Sequence, residues 1–478
     1  MHTPFFPDWR RRFGPMGRRI ARLRQQSLLH LDQLFGRFLP LALLAQADEG
    51  LNSRERIFSV RRTFFGFLYQ ALNPDCPCRE VVRQIQALFA LHHRGPVDEA
   101  SGGYCQARAR LPRDILPRLR CAAAAHAEKA RRLWRGLSVK VVDGTTTSLP
   151  DTLKNQRAYP QSGAQKPGCG FPLLRLVGVF SLSTGALLDY AKGNKHQHEL
   201  GLLQRLRHQF KPGDLVLADR GFSTYTLLAL LLRQGVHSLF RLHQARPTDL
   251  RKGKRLGKQD RLFAWDKPWL RPAYLPRFIW KAIPQQIPVR VLRFSLRVPG
   301  FRVRSVTLVT TLLDPRKYPA QELAHLYAER WRVELWFRDI KTSMGMQVLR
   351  CKSPRMVHKE LEMFFIAYNL IRCLMAETSL RYQVSVSGLS FKGTVDSVRQ
   401  FAAAIAQARS RKTQKQLLEK LLEVIARDLL PERFGRSEPR AVKRRPKPFP
   451  LLNRPRHSFR EVPHRNRYWK SNPRKSRG

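Results

Sequence analysis

Acidic residues are what this 478-residue chain is short of: 35 Asp and Glu stand against 89 Lys and Arg, a formal net charge of +54. A balance so one-sided lies far from that of an ordinary soluble enzyme, and its field draws polyanions, nucleic acid first among them. Long apolar runs are missing as well. None approaches the roughly 18 residues a bilayer span needs, and the best, "FLPLALLAQA" from Phe38, is short and contains Pro40. The start, "MHTPFFPDWRRRFG", carries its arginines after its apolar residues with no hydrophobic core to follow. That order excludes a secretory signal and points to the cytoplasm, with no membrane partner. Cysteine is sparse: seven are scattered, and only Cys76 and Cys78 stand close, without a second pair at zinc-knuckle spacing. Reduced structural thiols are expected.

What is present is enough for a core, since 43% of the residues are hydrophobic, and the length suits two or three domains. Residues 1–25 hold seven arginines against one aspartate and read as a basic arm that is solvated, grips phosphates, or does both. From 26 to 136 the apolar period is helical, and arginines recur through it. This predicts a helical DNA-binding domain, with "DILPRLRCAAAAHAEKARRLWRG" as one Ala-rich helix ending at Gly136.

At Leu137 the period changes. "LSVKVVDGT", "LLRLVGVFSLSTGALLDYAKG" and "GDLVLADRGF" alternate as strands, the second as a hairpin turning at Ser183 to Gly185. With the intervening helices, residues 137–242 give the order strand, strand, strand, helix, strand, helix, strand. That is the order of an α/β, RNase H-like core. Residues 243–305 interrupt it as a mostly β insertion, and 306–350 return to it. Residues 351–430 read as a helical C-terminal region. The tail, 431–478, has 16 Lys or Arg against three Glu, a composition that builds no core.

One stretch, "YAERWRVELWFRDIKTSM", Tyr327 to Met344, has neither Pro nor Gly, and Pro319 and Glu322 before it suit a helix start. On a continuous helix Tyr327, Arg330, Glu334 and Lys341 fall within about 60° of one another, beside an apolar seam. Alone, this spacing is also that of ordinary i,i+4 pairing on a solvated face.

Two aspartates add to it. Asp143 is expected to end the first strand, with Gly144 turning the chain, and Asp219 ends "DLVLADRGF" with Arg220 and Gly221 after it. Either alone is as readily a turn signal. His196, His198 and Glu199 in "KHQHEL" read as a helix cap or a DNA contact rather than a catalytic set, and Asp151 and Asp189 as turn and strand-end residues.

The spacing Y-x2-R-x3-E-x6-K resembles the YREK signature of DDE transposases of the insertion-sequence-four family. "DGTTTSLPDTLKNQRAYPQ", "GCGFPLLRLVGVFSLSTGALLD", "HELGLLQRL" and "LVLADRGF" are similar to further blocks of that family, so the likeness spans roughly residues 70 to 370. The resemblance implies an RNase H-like catalytic domain with a β-rich insertion between Asp219 and Glu334. It implies Asp143, Asp219 and Glu334 as ligands of two Mg²⁺ (or Mn²⁺) ions, with Tyr327, Arg330 and Lys341 on phosphates near the element's end. Trp331 is either a stacking platform for an unpaired base or a packing residue, and Arg220 is a further DNA contact.

The activity implied is cut-and-paste transposition: cleavage at terminal inverted repeats, then joining of the 3′-hydroxyl ends to target DNA by a homodimer bound to double-stranded DNA. Trp265, Trp269 and Trp280 lie where some relatives carry a hairpin wedge, and no spacing selects among them. The rivals are an RNase H-like nuclease or resolvase, and a DNA-binding relic without activity.

Overall fold

The computed structural model describes residues 31–49, 57–91, 95–246, 248–295, 305–408 and 410–431, with 455 and 458. The basic arm and nearly all of the basic tail lie outside these. Six helices come first: α1 (Leu31–Phe35), α2 (Ala42–Glu49), α3 (Val60–Leu72), α4 (Cys78–Leu91), α5 (Gly102–Arg110) and α6 (Ile115–Ala127). The Ala-rich helix therefore stops well before Gly136. Arg135 and Gly136 take positive φ of 48° and 81° and turn the chain between Trp134 and Leu137.

Next come β1 (Ser138–Ser148), a short α7 (Leu153–Ala158), β2 (Leu173–Ser181), β3 (Leu187–Gly193), α8 (Glu199–Gln204), β4 (Asp214–Ala218), α9 (Tyr225–Arg233) and β5 (His237–Arg241). The expected element order is found with α7 added. Then follow β6 (Lys254–Gly257), β7 (Asp260–Asp266), α10 (Arg277–Lys281), β8 (Gln286–Ser295) and β9 (Ser305–Thr310). The chain closes with α11 (Ala320–Glu329), α12 (Arg332–Arg338), α13 (Pro354–Tyr382), α14 (Phe391–Gln407) and α15 (Arg411–Arg427).

The strands form one sheet of nine in the order β3-β2-β1-β4-β5-β9-β8-β7-β6. β1, β4 and β5 run parallel, and every other pairing is antiparallel. Residues between β5 and β9 thus extend the same sheet rather than leaving it.

Alternation sets which face each side chain takes. Val139 and Val141 of β1, with Leu215 and Leu217 of β4, face α11 to α13 and the N-terminal helices. Val142, Val216 and Ala218 face α8 and α9. The first face shares a single apolar core with residues from Leu31 to Ile425. At its centre lies α13, buried along most of its length. By length and a mean hydropathy of 1.2 this helix would pass for a membrane span, yet 89% of that apolar window is buried inside the protein. It is a core helix, wrapped by α6, α3 and β3.

Candidate active site

Asp143 does not end its strand. β1 continues to Ser148 because it still pairs with β2 there, with Asp143 opposite Gly178. What does end is the parallel pairing with β4, whose last pair is Val141 with Leu217. Two residues further in the same register, Asp143 stands abreast of Asp219, which directly follows β4. Both fall on the face that packs α11 and α12, so strand alternation alone aims the two carboxylates at the same helices.

Asp219 is held by its own turn, one carboxylate oxygen accepting from the Gly221 amide at 2.8 Å. Asp143 accepts from the Gly144 amide at 2.8 Å. Gly178 leaves room above the sheet at this point. A Cβ there would meet the ring of Phe337 at 3.4 Å and Phe180 at 2.8 Å, so α12 seats directly over β1 and β2.

The helix carrying the third acid is not continuous. α11 ends at Glu329, and Arg330 and Trp331 form a tight turn with bonds three residues back (Arg330 to Tyr327, Trp331 to Ala328). A π-helical segment, Asp339 to Ser343, then widens the backbone. Neither break involves Pro or Gly, so tertiary contacts impose them. At the first, Arg330 reaches Asp143. At the second, buried Asp339 meets Arg372 at 3.4 Å.

Arg330 is the hub of the site. Its guanidinium lies 3.6 Å from Asp143 and 3.5 Å from Glu334, and 5.8 Å from the centre of the Tyr327 ring. Burial pushes the Asp143 carboxyl up to about 6; the Gly144 amide and Arg330 oppose the shift, and Asp219 and Glu334 add to it. Buried Tyr327 is pushed up to about 12, chiefly by burial, and stays a neutral phenol at physiological pH.

Glu334 is more open, its side chain 42% exposed. Trp331 is 43% exposed. Arg220 is exposed and donates to the side chain of Gln244 at 2.8 Å. Lys341 does not join the carboxylates: its ammonium donates to the Thr146 carbonyl at 2.9 Å and the Thr145 hydroxyl at 3.3 Å, just beyond Asp143 on β1.

Among the described residues no group of three His, Cys, Asp or Glu is drawn tightly enough to hold a metal ion. The donor set nonetheless suits a hard divalent ion. It is oxygen only, and Asp143, raised chiefly by burial, also feels the charges of Asp219 and Glu334. A cation relieves that crowding, and Arg330 occupies part of that role here.

His198 caps α8 through its ring nitrogen, and the Glu199 carboxylate lies over Gly144 on the opposite sheet face. Of the three tryptophans, Trp269 is 88% exposed while Trp265 is buried, and Trp280 is half-buried against Lys267. The buried Asp339–Arg372 pair was missed by sequence reasoning, because two buried residues 33 apart in the chain carry no local signal.

The family described as transposase DDE domain matches residues 134–370, from the turn before β1 to the middle of α13. The chain is 28% identical over 436 residues to the transposase InsG for insertion sequence element IS4 of Escherichia coli (strain K12), covering 89% of this chain and 95% of that protein. It is 34% identical over 88 residues to a probable transposase for insertion sequence element IS5377 of Geobacillus stearothermophilus, 18% of this chain and 22% of that one. A solved piggyBac transposase synaptic complex with hairpin DNA covers 87% of both chains at 10% identity and a TM-score of 0.40, too distant to carry an argument. With one relative matched over 89% of this chain and 95% of its own length and the family domain running from β1 into α13, the chain belongs to the DDE transposases of the IS4 family: it is the transposase of an insertion sequence, an enzyme of DNA cleavage and strand transfer.

Proposed function

We propose that Asp143, Asp219 and Glu334 are the catalytic carboxylates, on an RNase H-like core whose five leading strands take the order β3-β2-β1-β4-β5. The observation that carries this reading is Arg330, which touches Asp143 and Glu334 at once while register sets Asp219 beside Asp143. The three acids would hold two Mg²⁺ or Mn²⁺ ions, which, when bound, activate the attacking oxygen and stabilise the departing one.

The protein's own groups do the positioning. The planar fork of Arg330, which lies beside Asp143 and Glu334, suits a phosphate and would hold one of the element's end. The neutral Tyr327 hydroxyl donates to the same backbone. Lys341, anchored to the β1 backbone, fixes a second phosphate as a point charge. Trp331 offers a ring face to an unpaired base, and exposed Arg220 meets the neighbouring strand. Water hydrolyses the phosphodiester at the end, and the freed 3′-hydroxyl attacks target DNA in line.

Residues 26–136 bind DNA, 137–242 with 306–350 form the catalytic core, 243–305 extend it, and 351–430 support it. Two ends must be held together, so the active form is a homodimer on double-stranded DNA in the cytoplasm, with arm and tail (1–25 and 431–478) screening the repulsion between duplexes.

Asp143→Asn, Asp219→Asn and Glu334→Gln are each expected to abolish cleavage of a donor plasmid in Mg²⁺ while binding of the element's end stays near normal. A variant cutting at the ordinary rate removes that residue from the set.

A further inference from the structure

Arg372 of α13 is buried and held on several sides. Its Nε donates to the Tyr368 hydroxyl at 3.0 Å, and that hydroxyl donates to the Gly185 carbonyl at 2.6 Å. The guanidinium carbon lies 5.1, 5.3 and 5.9 Å from the ring centres of Tyr368, Phe391 and Trp336. Gly185, at a positive φ of 69°, leaves room for it, since a Cβ there would meet the same carbon at 2.9 Å. A guanidinium caged in this way cannot follow a partner, so the partner comes to it.

That partner is Asp339, 3.4 Å away, with its side chain 13% exposed and that of Arg372 4% exposed. As a source of stability the pair is poor. Burial pushes the Asp339 carboxyl up to about 6 against the pull of Arg372 and Arg338, and a single contact of 3.4 Å lacks the short twin bonds of an arginine fork. Buried pairs of this kind are often replaced by apolar residues without loss, and their best attested use is to fix register. Asp339 opens the π-helical segment. The Met344 amide reaches five residues back to the Asp339 carbonyl at 3.0 Å, and the Gln347 amide six back to that of Lys341 at 3.0 Å.

This register bears on one side chain of the site. On an unbroken α-helix Lys341, seven residues after Glu334, returns to within about 20° of it. In the wider turn its ammonium lies instead on the Thr146 carbonyl at 2.9 Å and the Thr145 hydroxyl at 3.3 Å. Thr145 shares a strand face with Asp143, two residues and roughly 7 Å away.

We propose that Asp339 and Arg372 are positioning residues for the reaction: their pair holds the π-helical turn that carries the Lys341 ammonium away from Glu334 and onto β1, and so sets which phosphate of the DNA end it grips. This rests on the reading of Lys341 as a phosphate contact.

The test uses the full chain. Asp339→Leu/Arg372→Met replaces the pair by apolar residues, and its melting temperature is expected to equal or exceed that of wild type. On a duplex carrying the element's end, the slope of log affinity against log salt is expected to fall by about 0.9, the loss of one neutralised phosphate. Lys341→Ala is expected to lower the slope equally in wild type and to change nothing further in the swapped background, since effects that run through one side chain do not add. Without DNA, acetylation of Lys341 by an N-hydroxysuccinimide ester, read by peptide mass spectrometry, is expected to rise several-fold in the swapped protein, while exposed Lys412 of α15 reacts as before. A swapped protein with wild-type slope and wild-type acetylation overturns the proposal, as does a Lys341→Ala effect of the same size in both backgrounds. If the swapped protein melts well below wild type, Tyr368→Phe, which removes only the hydroxyl that holds Arg372, takes its place: a smaller change in the same direction supports the proposal and no change overturns it. If Lys341→Ala leaves the wild-type slope unaltered, the phosphate reading of Lys341 falls, and the acetylation rate alone decides whether the pair positions it.

Discussion

At the scale of single residues, Arg330 has two partners that a bound cation would take from it. Removing it leaves Asp143 and Glu334 facing each other without an opposing charge, so metal-free Arg330→Ala is expected to melt lower than wild type. Adding Mg²⁺ should then raise its melting temperature by more than it raises that of wild type, because no guanidinium competes for the carboxylates. Equal metal-induced shifts in differential scanning fluorimetry would remove Arg330 from between the acids.

His358 gives a pH dependence with a definite sign. Its folded form takes a proton only near 4, while the unfolded chain does so near about 6.5. Between those values unfolding takes up a proton, so stability falls as pH drops through that window. His358→Gln keeps a partner for the Tyr190 hydroxyl, 3.3 Å away, and removes the titration. The loss of melting temperature from pH 7 to pH 5 is expected to be smaller in this variant than in wild type. An identical loss would place the acid sensitivity elsewhere.

At the scale of elements, α12 reaches the sheet because Gly178 has no side chain. Gly178→Ala forces Phe180, Leu187 or Phe337 to give way in a closed core, a change of the kind that costs about 1–3 kcal/mol. Since Phe337 shares α12 with Glu334, cleavage per folded molecule should drop as well, read by active-site titration against circular dichroism. Full activity with full stability would show that α12 is seated by other contacts.

The same element shows where sequence reading stops. The alternation in "LSVKVVDGT" and "LVLADRGF" made both strands legible, and of the residues beside the apolar seam Arg330 contacts both Asp143 and Glu334. Two things were not legible. The end of β1 is set by its partner β2, which runs on past the point where β4 stops, so Asp143 sits inside a strand that its own Asp-Gly seemed to close. The breaks at Arg330 and at Asp339 come from contacts with β1 and with Arg372, residues far away in the chain, and "YAERWRVELWFRDIKTSM" contains nothing that would interrupt a helix by itself. Lys341 was therefore expected beside Glu334, and the π-helical segment turns it onto Thr145 and Thr146 instead.

At the scale of the whole molecule, buried Arg120 of α6 joins three parts of the chain. It bonds Asp189 of β3 at 2.7 Å, Glu362 of α13 at 3.1 Å and the Leu188 carbonyl at 2.9 Å, with its side chain only 4% exposed. Arg120→Met leaves two acids buried without their cation, and breaking such a pair costs about 3–5 kcal/mol. Because the N-terminal helices and the sheet share one apolar core, chemical denaturation of the described region should stay a single transition whose midpoint shifts. Separate transitions for helices and sheet would show that the shared apolar core does not hold them together without Arg120.

The central helix, α13, has a consequence for incomplete products. Its 29 residues are greasy enough to pass for an anchor and are kept from water only by neighbours that include α3 and α6, made long before it during synthesis. A polypeptide begun downstream of residue 127, by internal initiation or gene truncation, would emerge with that rod bare on one flank. Such a fragment is expected to aggregate or be degraded rather than accumulate as a competitor of the intact enzyme.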